Sequence, residues 1–232
     1  MIKEVTIALV LAVSLAGAAV AGPFEDGAAA YFKGDYATAM RLWRPLADQG
    51  NVYAQNNLGD MYGAGEGVPQ DYAQAVAWFR KAADQGFANA QYNLGNMYAN
   101  GLGVPQDYAQ AVAWFRKAAD QGHASAQFNL ALMYDNGQGV PQDYAQAVAW
   151  FRKAADQGHV SAQFNLGVAY EFGQGVPQDY IQAHMWLNLA ASRYTDPTDR
   201  AVAVKQRDLV AAKMTPAQIA EAQRLATAWK PK

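Results

Sequence analysis

From Asn51 onward the apolar positions of the chain fall into a pattern that returns every 36 residues. In the stretch from Phe87 to Gly122, Ala90, Leu94, Met97 and Tyr98 stand at i, i+4, i+7 and i+8, a one-sided stripe that predicts an amphipathic helix. Asn100-Gly101 closes it, because glycine takes the left-handed conformation at a helix end without steric cost. Leu102-Gly103-Val104-Pro105 is a turn, and the proline prevents a simple continuation. A second helix begins at Asp107, with Gln110 three residues on in the manner of a capping box. Its face is Tyr108, Ala111, Val112, Phe115, Ala118 and Ala119, with Arg116 and Lys117 toward the C-terminal end that favours cations.

The string DYAQAVAWFRKAADQG recurs word for word at Asp71–Gly86, Asp107–Gly122 and Asp143–Gly158, with looser copies from Asp179 and Asp35. A fixed period of this length marks an architecture of stacked hairpins, none of which can bury its stripe alone. The organisation expected is a cap unit over 22–50, repeats over 51–86, 87–122, 123–158 and 159–194, and C-terminal capping helices over 195–232. In the last segment Asp196-Pro197 and Thr215-Pro216-Ala217-Gln218 are helix starts. Trp78, Trp114, Trp150 and Trp186 occupy one position per repeat, where truncation of a buried ring costs roughly 3–5 kcal/mol. Pro45 lies inside the second helix expected in the cap unit, an irregularity that a terminal unit tolerates.

Composition narrows the function. Apolar residues make up 52% and charged residues 16%, which argues against disorder, and the net charge of −2 comes without a basic stripe. Nucleic acid is therefore not an expected partner. Residues 1–21 read as a secretory signal peptide: Lys3, an apolar run from Val5 to Val20, and Ala19-Val20-Ala21 before the cleavage point. The run falls short of a comfortable membrane span, so no stable membrane insertion is expected after cleavage. No cysteine is present, so a lipid-modified N-terminus and disulfides are both excluded. Export to a bacterial periplasm, or secretion, is the expected localisation.

AxAQxNLxxxY from Ala88 to Tyr98, GxGVPQDY from Gly101 to Tyr108 and AxxWFRKAADQG from Ala111 to Gly122 resemble the Sel-one-like repeat (SLR) family, a branch of α/α solenoids related to the tetratricopeptide repeat. The likeness runs from Asn51 to about Ser192, while the front unit, with its short Gly34-Asp35 turn, is more tetratricopeptide-like. It implies an all-α, right-handed superhelical solenoid with the first helices lining a concave side. It also implies a non-catalytic adaptor of protein assemblies or signalling.

Reactive chemistry finds little footing. His123 and His159 share one repeat position that Asn51 and Phe87 fill elsewhere, so they read as residues at a helix entrance rather than ligands. His184 has no acidic partner at ligand spacing and reads as a packing or surface residue. None of Ser125, Ser161 and Ser192 begins Ser-x-x-Lys or sits in a Gly-x-Ser-x-Gly elbow. The GxGVP links lack a phosphate-loop lysine and follow helices rather than strands. No enzyme, metal or cofactor is expected. The alternatives are a hydrolase of cell-wall or lactam substrates, or a structural spacer without a groove.

A partner surface is expected where the repeats differ. The second helix is identical in three repeats, and the first helix is not. The candidate protein-binding positions are Tyr53, Asn56 and Asp60, then Asn89, Tyr92 and Asn96. Next come Phe128, Leu132 and Asp135, then Phe164, Val168 and Glu171. Positions four apart share a helix face, so each set lines one side of its helix, polar at the N-terminal end and aromatic and aliphatic with an acidic rim further on. The expected ligand is a peptide or helix of another protein, anchored by Tyr92, Phe128 and Phe164; the same rings would serve equally as packing between first helices. Asn57, Asn93, Asn129 and Asn165 recur in every repeat and either meet a bound backbone or satisfy neighbouring groups.

Overall fold

The computed structural model describes residues 22–232, and all the regular structure among them is α-helical. The signal-peptide reading of residues 1–21 lies outside the described residues. Among the described residues there are twelve helices: α1 (Pro23–Phe32), α2 (Tyr36–Asp48), α3 (Val52–Ala64), α4 (Tyr72–Asp84), α5 (Ala88–Asn100), α6 (Tyr108–Asp120), α7 (Ala124–Asn136), α8 (Tyr144–Asp156), α9 (Val160–Phe172), α10 (Tyr180–Arg193), α11 (Pro197–Ala211) and α12 (Pro216–Ala228). The fold class is an all-α solenoid of helical hairpins. Two compact units are distinguished, the first ending at Asp107 and the second beginning at Tyr108.

In the first unit, each helix packs on the next from α1 to α5. Its core gathers Ala39, Trp43, Ala47, Ala54, Leu58, Met61 and Trp78, with Phe24, Tyr31 and Tyr62 half-buried against it. Alanine dominates because the helices approach closely. A Cβ at Gly59 would stand 2.5 Å from the Phe79 ring, and one at Gly27 would stand 2.4 Å from the Trp43 indole. Pro45 lies inside α2, near its C-terminal end, where its missing N–H removes one i→i−4 bond.

In the second unit the consecutive hairpins continue from α6 to α10, and both α11 and α12 pack on α10. Val210 of α11 joins Ala183 and Leu187 of α10 in one buried cluster. Ala203 joins Ala190 and Ala191 in another. Trp229, just past α12, meets Trp186 edge-on at 6.2 Å.

The start and stop chemistry is local. Asp71, Asp143 and Asp179 accept hydrogen bonds from first-turn amides of α4, α8 and α10. The reciprocal capping box forms at Thr215 and Gln218. Asn51, His123 and His159 cap α3, α7 and α9 through the same backbone geometry, each accepting from the amide three residues on. The histidines at the helix entrances are therefore caps.

Candidate protein-interaction surface

In the first unit, Asn56 and Asp60 of α3 form a polar network with Asn93 of α5. Tyr53 is 38% exposed and rests against Phe24 and, edge-on at 5.1 Å, against Phe87. Asn56 is buried and donates to Asp60 Oδ2 at 2.9 Å. Asn93 of α5 reaches across, donating to Asn56 Oδ1 at 3.2 Å and standing 3.4 Å from Asp60 Oδ1. Burial pushes the Asp60 carboxyl up to about 7, with Asn56 opposing the shift and Glu66 adding to it. Glu66 accepts from the Tyr31 hydroxyl at 2.6 Å. Asn89, Tyr92 and Asn96 are half-buried along α5.

In the second unit, Phe128, Leu132 and Asp135 lie half-buried on α7, and Phe164 and Val168 half-buried on α9. Phe128 stacks on His159 with centroids 4.6 Å apart and tilts against Phe151 at 5.8 Å. Phe164 packs against both clusters that α10 and α11 build, and Val168 against one of them. These rings thus pack against neighbouring helices while keeping part of their surface in solvent.

Glu171 stands differently from its expected place on an acidic rim. It is 2% exposed, and it accepts from Gln206 Nε2 at 2.5 Å and pairs with Lys213 Nζ at 2.9 Å. This side of α9 is not free at Glu171, because Gln206 of α11 and Lys213 just beyond α11 reach it. Asn56 is likewise enclosed, since α3 buries residues all round from Ala54 to Gly59.

The recurring asparagines are used internally where their bonds are defined. Asn57 is buried, Asn93 joins the Asn56–Asp60 network, and Asn165 donates to its own helix at Ser161 O. A second ladder is invisible in the hydropathy pattern. Gln55, Gln91, Gln127 and Gln163 are buried, and each donates to a carbonyl in the last turn of the preceding second helix: Ala47, Ala83, Ala119 and Ala155. Each of those carbonyls also accepts from the backbone amide of the glycine that closes its helix, Gly50, Gly86, Gly122 or Gly158, so the glutamine fills the second lone pair and ties the next repeat to the helix end. Its signal in the sequence was its recurrence directly after the buried alanine of every first helix.

Among the described residues, no group of three or more His, Asp or Glu side chains could hold a metal ion. His184 is buried, and burial holds its imidazole below the usual range. Among the described residues, no helix is long and apolar enough to cross a membrane.

Comparison with known proteins agrees with this geometry. None of the curated proteins compared matches the chain. Among solved structures, a Sel1 repeat protein from Oxalobacter formigenes is 27% identical, with a TM-score of 0.70, over 88% of this chain and 98% of that one. A Sel1 repeat protein from Klebsiella pneumoniae subsp. pneumoniae is 21% identical with a TM-score of 0.51, over 82% and 91% of the two chains, a likeness of fold. The Sel1 repeat model matches residues 24–51, 52–87, 88–123, 124–159 and 160–194. With five consecutive matches across most of its length, the chain belongs to the Sel1 repeat family.

Proposed function

We propose that this protein is a non-catalytic scaffold or adaptor of the bacterial cell envelope that binds a peptide or helix of another protein along its first helices. Sel1 repeats generally mediate protein–protein interaction, which supports the class of function. The observation that carries the finer reading is the state of α7. Phe128, Leu132 and Asp135 are all half-buried; Leu132 and Asp135 differ from their counterparts in every other repeat and Phe128 recurs only as Phe164, while the second helix is identical in three repeats. Partly exposed aromatic and aliphatic groups on a rigid helix are the kind of anchor that peptide recognition uses. The envelope assignment rests on the signal-like character of residues 1–21.

The test pairs Phe128→Ser with Leu132→Ser. Partner capture from the native envelope and thermal melting are measured on the same preparations. Loss of capture by protein that still melts near the parental temperature supports the surface. Capture that survives, or that falls only in step with the folded fraction, overturns it.

A further inference from the structure

The third and fourth repeats carry an acidic residue at one repeat position, Asp135 in α7 and Glu171 in α9, where the earlier repeats have Gly63 and Ala99. In the fourth repeat this carboxylate has a cation. Lys213, just beyond α11, places its ammonium 2.9 Å from Glu171 Oε1 and 5.6 Å from the centroid of the Tyr180 ring. Stepping back one period of 36 residues converts Glu171 and Tyr180 into Asp135 and Tyr144. Asp135 and Tyr144 line a cavity of about 60 Å³, together with Val148, Phe151, Asn165 and Val168. That is more than the roughly 10–15 Å³ that one water requires.

What differs is the cation. In the fourth repeat α11 brings Lys213; here α9 contributes Val168 to the cavity, and no lysine or arginine pairs with Asp135 among the described residues. Tyr144 is 38% exposed, so one wall of the cavity faces solvent. Burial also raises the Asp135 carboxyl above its usual range, the expected behaviour of a carboxylate short of a counter-charge.

We infer that the Asp135–Tyr144 cavity receives the side-chain ammonium of a lysine presented by a partner protein segment, in the way that Glu171 and Tyr180 hold Lys213. The inference rests on the interaction surface proposed above and names the chemistry that surface selects. Asp135 neutralises the charge, the Tyr144 ring offers its negative face, and Val148, Phe151 and Val168 cover the aliphatic stem. A compact ammonium fits such a space, whereas the planar guanidinium of arginine needs a wider fork of acceptors.

The probe is Nα-acetyl-lysine N-methylamide, titrated into the full chain while nuclear magnetic resonance signals of Asp135, Tyr144 and Asn165 are followed. Saturable shifts at these residues are expected. They should weaken by at least about tenfold in Asp135→Asn and fall clearly in Tyr144→Leu, with melting of both variants near the parental value. The Nε-acetylated probe and the arginine counterpart should give no saturable shift. Absence of saturable shifts, equal binding by Asp135→Asn, or equal binding of the Nε-acetylated probe overturns the assignment. If the lysine probe binds but Phe128→Ser/Leu132→Ser still captures partners, the ammonium site stands and the wider surface falls. If the probe fails while those serine variants lose capture, the surface stands and the ammonium site falls.

Discussion

The α-carbon of Gly175 lies against the carbonyl of Tyr144, so close that a Cβ there would stand 2.2 Å from the oxygen. A Cβ at Gly139 would likewise stand 2.3 Å from the Tyr108 carbonyl, and one at Gly103 2.3 Å from that of Tyr72. The second glycine of each link is thus where one repeat touches the start of the previous second helix, and its φ of about 70° adds a second demand. Gly173, two residues earlier, has a similar φ of 68° but its nearest neighbour would be 3.4 Å away. Gly173→Ala should cost about 1 kcal/mol from backbone strain alone. Gly175→Ala should cost at least about 3 kcal/mol, since backbone must move. Urea denaturation of the two variants checks the ratio, and equal losses would refute the close-contact explanation.

Buried Gln127 donates to Ala119 O at 3.0 Å and accepts from Gln157 Nε2 at 2.8 Å, so both ends of its amide are used. Gln163 donates to Ala155 O at 3.2 Å, but its Oε1 is buried without a partner. The cause lies one period on from Gln157. Arg193 stands there, with its guanidinium over the Trp229 ring at 4.4 Å. Gln127→Leu should therefore destabilise by about 2 kcal/mol through the loss of two side-chain hydrogen bonds, Ala119 O keeping the Gly122 amide. Gln163→Leu should cost about 1 kcal/mol less, because it also removes an orphaned acceptor. Chemical denaturation of both variants measures the difference, and a larger loss at Gln163 would contradict the account.

The helices, their register and the capping residues were legible from the chain, because a stripe repeated in phase leaves little freedom in where each helix starts and stops. Asp71, Asp143 and Asp179 begin helices as expected, and Gly101, Gly137 and Gly173 end them in the left-handed region. The surface was only half legible. Assigning a core face and an opposite free face assumes a helix packed on one side. The first helices are packed on more than one, as buried Asn56 and Gly59 in α3 and buried Glu171 in α9 demonstrate. The partners of Glu171 were out of reach because Gln206 and Lys213 lie 35 and 42 residues away in a segment with no repeat to set its register. The glutamine ladder was hidden for a different reason: hydropathy scores a buried amide and a solvated one alike.

The Asp60 carboxyl, raised from 3.8 to about 7 chiefly by burial, predicts a stability that falls with pH. Between those values the unfolded chain has released the proton and the folded chain has kept it. The folded state then binds more protons, so unfolding free energy declines as pH rises from about 4 to about 7. With Asp60 still partly accessible to solvent, the decline should amount to roughly 2 kcal/mol rather than the full linkage value. Asp60→Asn should remove that slope, and Glu66→Gln should reduce it, since Glu66 contributes to the shift. Urea midpoints of the three proteins at about pH 4, 5.5 and 7 give the comparison. A parental slope that survives Asp60→Asn would place its origin elsewhere.

The Glu171–Lys213 pair joins a carboxylate that is 2% exposed to an ammonium whose side chain is 44% exposed. The asymmetry sets the energetics. Lys213 gives up little hydration, so the pair escapes most of the desolvation penalty that makes fully buried ion pairs neutral or worse. Glu171, by contrast, depends on its donors, and without Lys213 only Gln206 remains to it. Lys213→Met keeps the aliphatic stem and removes the charge, and should lower the urea midpoint of unfolding. Glu171→Gln in the same chain should restore about half of that, because the buried charge disappears with its partner. The double-mutant cycle should show a measurable coupling between the two positions. Hydrogen exchange locates the effect: in Lys213→Met the amides of α11 should lose protection before those of α7 and α8, since α11 is the helix that the ion pair fastens to α9. Uniform loss of protection, or a coupling near zero, would mean that Val210 and Ala203 alone hold α11 in place.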